Sequence, residues 1–296
     1  MRRELCLIHA NCQGDALRSL LAATPAFARR FEIRKYTNYL KEAVPQQDFD
    51  RCRIFLYQHL GEKWNDLASD ALLARLPPQA CRMRIPNLLF KGYWPLWTNK
   101  SAMNYGDILL DLLVAKGYSA PEALHVYLRG RLAAKYKLDA LLGESLFRER
   151  RKEKGAVIAL TDFIEEHWRR RQLFLTPNHP GKALLLAIAD AVLQGMGFAR
   201  LAPSLRNAFT PDYPDFTLPI HPQVGEHFSL PFADADRLYG IYGRPMNFAR
   251  YAACYVHCLS RKLGDFETYL LAQAKHSSCL NLAAPVHIGT RATAAC

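Results

Sequence analysis

Short apolar runs at Leu5–His9, Phe31–Lys35, Arg53–Gln58, Cys81–Ile85 and Gln172–Thr176 have the length and residue types of β-strands. Helical periodicity fills several of the intervals, over Asp15–Ala23 and Trp64–Arg75. Strand and helix in alternation predict the α/β class, with an open, mostly parallel sheet flanked by helices. Ligands of such sheets bind beyond the carboxyl ends of the strands. The residues that follow the predicted strands are therefore the first candidates for chemistry: Asn11-Cys12, Gln58-His59 and Pro177-Asn178-His179.

Between the fourth and fifth predicted strands the pattern is helical. Tyr105–Lys116 is apolar-periodic and ends at Gly117. Ser119-Ala120-Pro121-Glu122 has the spacing of a capping box, with proline in the first turn. Further helices are expected over Leu138–Arg151, Thr161–Arg171, Lys182–Leu193 and Phe248–Lys275. Prolines 211, 214, 219, 222 and 231, with interspersed aromatics, make 202–245 an ordered but irregular stretch. The chain reads as a single α/β domain over 1–296. Its core is 1–100 and 172–200, its helical insertion 101–171, its loop-rich and helical C-terminal part 201–282, and its frayed tail 283–296.

Composition narrows the class. Half of the 296 residues are hydrophobic and 11% are aromatic, which excludes a disordered chain. No apolar run has the length of a membrane span, and the run after Met1-Arg2-Arg3-Glu4 is too short for a signal-peptide core. The eight cysteines lack the dense spacing of a disulfide scaffold. A cytoplasmic location is expected. The net charge of +12, from 39 Lys and Arg against 27 Asp and Glu, calls for an anionic partner. Basic residues cluster at Arg148–Lys154 and Arg169–Arg171, both in expected helices, where a solvated face is the default reading.

The tetrapeptide Asn11-Cys12-Gln13-Gly14 carries the most specific chemistry. It sits between an apolar strand and an amphipathic helix, the arrangement of a nucleophile elbow with cysteine in the place of serine. Free N–H groups and the positive end of the helix dipole favour a thiolate there, and the same donors suit an oxyanion. The alternative is a structural cysteine beside a helix-capping Asn11. His179 is the first choice of base, in a loop stiffened by Pro177 and Pro180; the alternative is that Asn178 caps the next helix and His179 packs beside it. Pro86–Pro95, with Phe90, Lys91, Gly92, Tyr93 and Trp94, suits either a pocket wall or plain packing. Cys254, His257 and Cys258 lie one turn apart on an expected helix, but no second pair has zinc-like spacing, so no metal is expected. No Walker or GxGxxG sequence and no groove-reading motif occurs, and nucleic acid is not an expected partner.

Taken together, the segments resemble the WcbI-type family of capsular polysaccharide biosynthesis acetyltransferases. The matching pieces are Asn11-Cys12-Gln13-Gly14, Ile85-Pro86-Asn87 running into Phe90–Pro95, Asn104-Tyr105-Gly106-Asp107, and Leu173–Pro180. They span roughly the first two thirds of the chain, and Ala10 stands where the family usually has glycine. The resemblance implies coenzyme A and acetyl-CoA as ligands, and transfer of acetyl to a sugar hydroxyl of a capsular polysaccharide or its precursor. It also implies a core related to SGNH hydrolases or flavodoxin. Cys12 would be the nucleophile or contact the thioester, His179 the general base, and Gln13 or Gln58 oxyanion donors. Asn11, Gly14, Gly92, Tyr93 and Asn178 would contact the cofactor. Lys91 and Lys100, with Arg84 and Arg148, are assigned to its phosphates on charge and position. Covalent acetyl-cysteine and direct transfer both remain open, as do Asp15, Asp107 and Glu226 for a third catalytic group. The sugar acceptor is the expected partner, and a homodimer is compatible with it. The rival functions are a thiol-dependent esterase on the same scaffold and a non-enzymatic basic protein that binds an anionic polymer.

Overall fold

The computed structural model describes residues 3–280 except 212 and 214; the tail expected over 283–296 lies outside them. β1 (Glu4–Ala10) leads into α1 (Gln13–Ala22), and a short α2 (Pro25–Arg30) runs directly into β2 (Phe31–Thr37). α3 (Gln46–Asp50) precedes β3 (Cys52–Tyr57), and α4 (Ser69–Ala74) precedes β4 (Cys81–Arg84). The four strands are all parallel, in the order β2-β1-β3-β4. Successive strands are added on opposite sides of β1, so a topological switch point lies between β1 and β3, as in flavodoxin-like sheets.

Side chains alternate across a strand, so β1 serves two cores. Cys6, Ile8 and Ala10 join the larger cluster, with Leu17, Leu20 and Leu21 of α1. Leu5 and Leu7 join a smaller one with Val44, Phe49, Leu72 and Leu76. Burial on both faces explains why β1 reads as an unbroken apolar run.

β5 (Trp97–Thr98) and β6 (Gly106–Asp107) form an antiparallel pair ahead of a helical section. This holds α5 (Ile108–Ala115), α6 (Ala120–Arg129), α7 (Leu132–Lys135), α8 (Leu138–Lys152) and α9 (Thr161–His167). α5 starts at Ile108 rather than Tyr105 because Asp107 caps it, its Oδ1 accepting from the N–H groups of Leu109 and Leu110. The capping box at Ser119 and Glu122 forms as expected. The helix expected over Trp64–Arg75 is split: a 3-10 segment ends at Leu67, and Asn65 inside it has φ +50°.

Gln172–Thr176 does not become a fifth strand of the sheet. β7 (Phe174–Thr176) pairs instead with β8 (His179–Pro180) from its own loop. Gly181 N–H donates to Leu173 O at 2.7 Å and Leu218 N–H donates to Leu175 O at 2.8 Å, so the backbone here is paired locally. α10 (Lys182–Gly195) then packs on α1. The irregular stretch contains α11 (Pro203–Ala208), α12 (Pro222–Phe228) and the hairpin β9 (Tyr239–Ile241)–β10 (Arg244–Met246). The expected helix Phe248–Lys275 is two, α13 (Phe248–Ser260) and α14 (Phe266–Leu280), separated by Lys262 at φ +55°. Trp94 ties this C-terminal part down, its indole N–H shared between Leu218 O and Pro219 O at 3.1 Å each. No helix among the described residues is long and apolar enough to cross a membrane.

Candidate active site

Chain segments leaving β1, β3 and β4 meet at the carboxyl edge of the sheet. Asn11 turns the backbone out of β1: its side-chain oxygen accepts the Gln13 N–H at 2.9 Å, and its carbonyl accepts the Gly14 N–H at 2.9 Å. Asn11 is thus the side chain that bonds the first turn of α1, and Cys12 stands at the helix entrance as its N-cap residue. Gly14 lies against the strand. A Cβ there would stand 2.7 Å from the Ala10 Cβ, so the glycine makes room for Ala10, a packing reason for it beside the cofactor contact expected of it.

Gln58 and Gln13 hold this turn together. The Gln58 side chain is fully buried; its Oε1 accepts the Asn11 N–H at 2.9 Å, and its Nε2 donates to Pro86 O at 3.1 Å and Asn11 Oδ1 at 3.2 Å. Gln13 Nε2 donates to Leu88 O at 2.7 Å and to Asn178 O at 2.9 Å, and its Oε1 accepts the Leu88 N–H at 3.1 Å. Both amides are committed to the framework, which corrects the expectation that their side chains donate to an oxyanion. Asn178 also acts on the framework: its carbonyl takes Gln13, and its Oδ1 accepts from Thr176 Oγ1 at 2.9 Å. It does not cap α10, whose N-cap is Gly181.

The Cys12 thiol is pushed up by burial, against which the Lys35 ammonium pulls it down. Lys35 Nζ is itself held by Asp15 at 2.7 Å. Burial thus outweighs the helix terminus, and the thiol is neutral in the folded protein rather than the thiolate expected from the sequence. Burial also lowers His179 to about 4, so its imidazole is neutral at pH 7. The ring stacks on Tyr213, centroids 4.4 Å apart and planes 24° apart. Tyr213 in turn lies close enough to Cys12 and Asp15 for both to disfavour its ionisation. Tyr105, at φ +57°, and the exposed Tyr39 feel Cys12 in the same way. Three phenols thus lie within electrostatic range of the thiol, and one of them stacks on the imidazole. Among the described residues no hydrogen bond joins Cys12 to His179, and none of Asp15, Asp107 and Glu226 bonds the imidazole; catalytic hydrogen bonds commonly tighten only with substrate in place.

Pro86–Lys91 forms a wall behind the Cys12 turn. On one side Asn87 Oδ1 accepts from Asn11 Nδ2 at 3.3 Å, and Leu88 pairs with Gln13. On the other, the Leu89 N–H donates to Glu149 and the Lys91 N–H to Ser145 Oγ, both on α8. Beyond the wall runs a groove of about 410 Å³, lined by Leu89, Lys91, Pro95 and the α8 side chains Leu141, Arg148, Arg151 and Lys152 among others. Lys91 is half-buried and has no ion pair among the described residues; burial and Arg148 lower its pKa, Glu144 acts to raise it, and its ammonium lies 5.6 Å from the Trp97 ring centre. Arg148 pairs with Glu144, and Lys152 with Glu149 at 2.5 Å, so both carboxylates of the groove are engaged by α8 cations. A half-buried ammonium with no direct carboxylate contact suits an anionic ligand.

The other residues expected at the cofactor lie elsewhere. Arg84 donates to Lys152 O at 2.6 Å, at the C-terminal end of α8. Lys100 is exposed on the turn between β5 and β6 and lines neither site. A Cβ on Gly92 would stand 2.2 Å from the Phe90 ring, so this glycine is a packing requirement. Tyr93 is wholly buried, its hydroxyl donating to Trp168 O at 2.7 Å. Tyr93 and Trp94 do border a cavity, but one of about 50 Å³, room for a water or two rather than an adenine. Arg151, Lys152 and Tyr213 went unassigned in the sequence. The first two sit in a basic cluster that also reads as a solvated face, and Tyr213 sits in the proline-rich stretch.

The family described as "Polysaccharide biosynthesis enzyme WcbI" matches residues 5–201. A solved structure of WcbI is similar, with a TM-score of 0.71 and 19% identity over 93% of this chain and 96% of that one. It is described as a novel polysaccharide biosynthesis enzyme, in native form without a disulfide bond between coenzyme A and one of its cysteines. At that identity the likeness shows the fold. No curated protein matches the chain.

Proposed function

The chain belongs to the WcbI family of polysaccharide biosynthesis enzymes, and from that membership we propose that it is a coenzyme A-dependent O-acetyltransferase. It moves acetyl from acetyl-CoA to a sugar hydroxyl of a capsular polysaccharide or its precursor. The observation that carries the reading is the placement of Cys12 at the N-cap of α1, in the turn that leaves β1. The neutral His179 imidazole stacks on Tyr213, which lies within electrostatic range of Cys12, and the half-buried Lys91 ammonium lies behind the wall. The structural neighbour, described in terms of coenzyme A and a cysteine, supports the same ligand.

Lys91 and Arg148 would hold the phosphates, with Leu89, Pro95 and Leu141 as apolar contacts for the pantetheine arm. His179 takes the Cys12 proton as Sγ attacks the thioester carbonyl carbon. Collapse of the tetrahedral adduct breaks the carbon–sulfur bond to coenzyme A, whose leaving thiolate receives the proton from His179. His179 then takes the proton of the sugar hydroxyl, whose oxygen attacks acetyl-Cys12 and releases the thiol. The backbone amides of Cys12 and Gln13 and the Lys35 ammonium favour negative charge on the sulfur, against the effect of burial.

The test is calorimetric titration with coenzyme A and acetyl-CoA, followed by transfer to a panel of sugars. Micromolar binding is expected, weakened about tenfold in Lys91→Ala by loss of one charge-assisted contact. Cys12→Ala and His179→Ala should bind coenzyme A and fail to transfer acetyl. Absence of binding overturns the proposal. Acetyl release at equal rates with and without sugar turns the enzyme into a thiol hydrolase.

A further inference from the structure

We infer that Tyr213, outside the family-matched residues, is a catalytic residue whose phenol O–H donates to the acyl oxygen as Cys12 is acylated. This rests on the acyl-transfer reading of the Cys12 site and adds to it the side-chain donor that it lacks. The two amides nearest the thiol, on Gln13 and Gln58, are committed to backbone carbonyls and to each other. Tyr213 has the opposite property: its hydroxyl is buried and has no hydrogen-bond partner among the described residues. An unsatisfied buried hydroxyl destabilises the fold, a cost that is recovered when a ligand oxygen accepts from it.

Three further observations support that role. The ring stacks on His179, the assigned base, with centroids 4.4 Å apart. The phenol lies within electrostatic range of Cys12 and Asp15. Burial and those two groups hold it protonated, so it is a donor across the working pH range. When Sγ adds to the carbonyl carbon, the carbonyl oxygen gains a full negative charge, and a preorganised neutral donor then stabilises the adduct more than the ground state.

Tyr213→Phe keeps the ring stacked on His179 and removes only the hydroxyl. Loss of one preorganised oxyanion donor lowers kcat about 100-fold or more. The KM for acetyl-CoA and the coenzyme A affinity should stay within twofold, and the thermal midpoint should rise by a few degrees, because the variant removes a buried hydroxyl that has no partner among the described residues. A parallel arm follows acetylation of Cys12 by p-nitrophenyl acetate with intact-mass detection, which needs an oxyanion donor but no coenzyme A. Wild-type rates in Tyr213→Phe with both donors overturn the proposal, as does a loss confined to KM or accompanied by a lowered thermal midpoint. A wild-type protein that does not bind coenzyme A yet is acetylated by the ester removes the acetyl-CoA reading and leaves Tyr213 to be judged on the ester rates. A wild-type Cys12 that takes acetyl from neither donor overturns both.

Discussion

Replacing Gln58 by leucine separates a framework role from a catalytic one. The substitution keeps the aliphatic stem in its buried slot and deletes the amide. Three bonds of good length disappear: from Asn11 N–H at 2.9 Å, to Pro86 O at 3.1 Å and to Asn11 Oδ1 at 3.2 Å. At about 1 kcal/mol net for each neutral bond, the loss is about 3 kcal/mol, before any penalty for the orphaned Asn11 N–H. With a urea dependence of about 3 kcal/mol per M for a chain of this size, the midpoint should fall by about 1 M. The assay is equilibrium unfolding in urea, followed by tryptophan fluorescence. An unmoved midpoint, together with a hundredfold loss of kcat, would refute the reasoning and return Gln58 to the oxyanion.

Burial lifts the Asp107 carboxyl from 3.8 to about 6, so the folded state holds its proton more tightly than the unfolded chain. That stabilisation is complete below pH 4 and is lost as pH rises through 6, a change of about 3 kcal/mol for two pH units; Asp107→Asn should remove this slope in urea titrations. His179 is depressed from 6.5 to about 4, so its base form persists down to that pH, and the acid limb of kcat/KM should fall near 4 rather than 6.5. Its neutral form stabilises the fold above pH 6.5, and that contribution is lost as pH falls through about 4. The Cys12 thiol should react with iodoacetamide more slowly than a free cysteine at pH 8. Lys35→Met, which deletes the charge that opposes burial, should slow it further, as read by peptide mass.

What could be read from the sequence was whatever depends on neighbours along the chain. Four apolar runs became four parallel strands, and Asn11-Cys12-Gln13-Gly14 became the turn at the switch point, because strand, cap and helix entrance are local. Gln172–Thr176 has the same apolar signature as the others. Its partners, Gly181 and Leu218, were decided by the fold-back after Pro177 and by a loop far along the chain. The same distinction divides the candidate site. Residue type alone cannot tell a free amide from a committed one, and Gln58 is committed to Asn11 and Pro86, neither adjacent to it in sequence. Nor does sequence separate Lys91, half-buried in a groove, from Lys100, exposed on a turn. Gly92 and Tyr93 left pocket wall and plain packing open because packed aromatics and ligand-facing aromatics share one composition, and here Phe90 and Trp168 pack against them.

The bond from Gln13 Nε2 to Asn178 O joins residues separated by 165 positions. This sets an order of assembly during synthesis. While the ribosome extends the chain N-terminal end first, the parallel strands can pair as soon as residue 84 has emerged. The turn is already tied to Gln58 and Leu88 by then, but its bond to Asn178 waits for the loop carrying His179, long after. Until that loop arrives the nascent chain carries Cys12 without His179, so the proposed acyl transfer would begin only once about two thirds of the chain is made. Long-range closure of this kind slows folding.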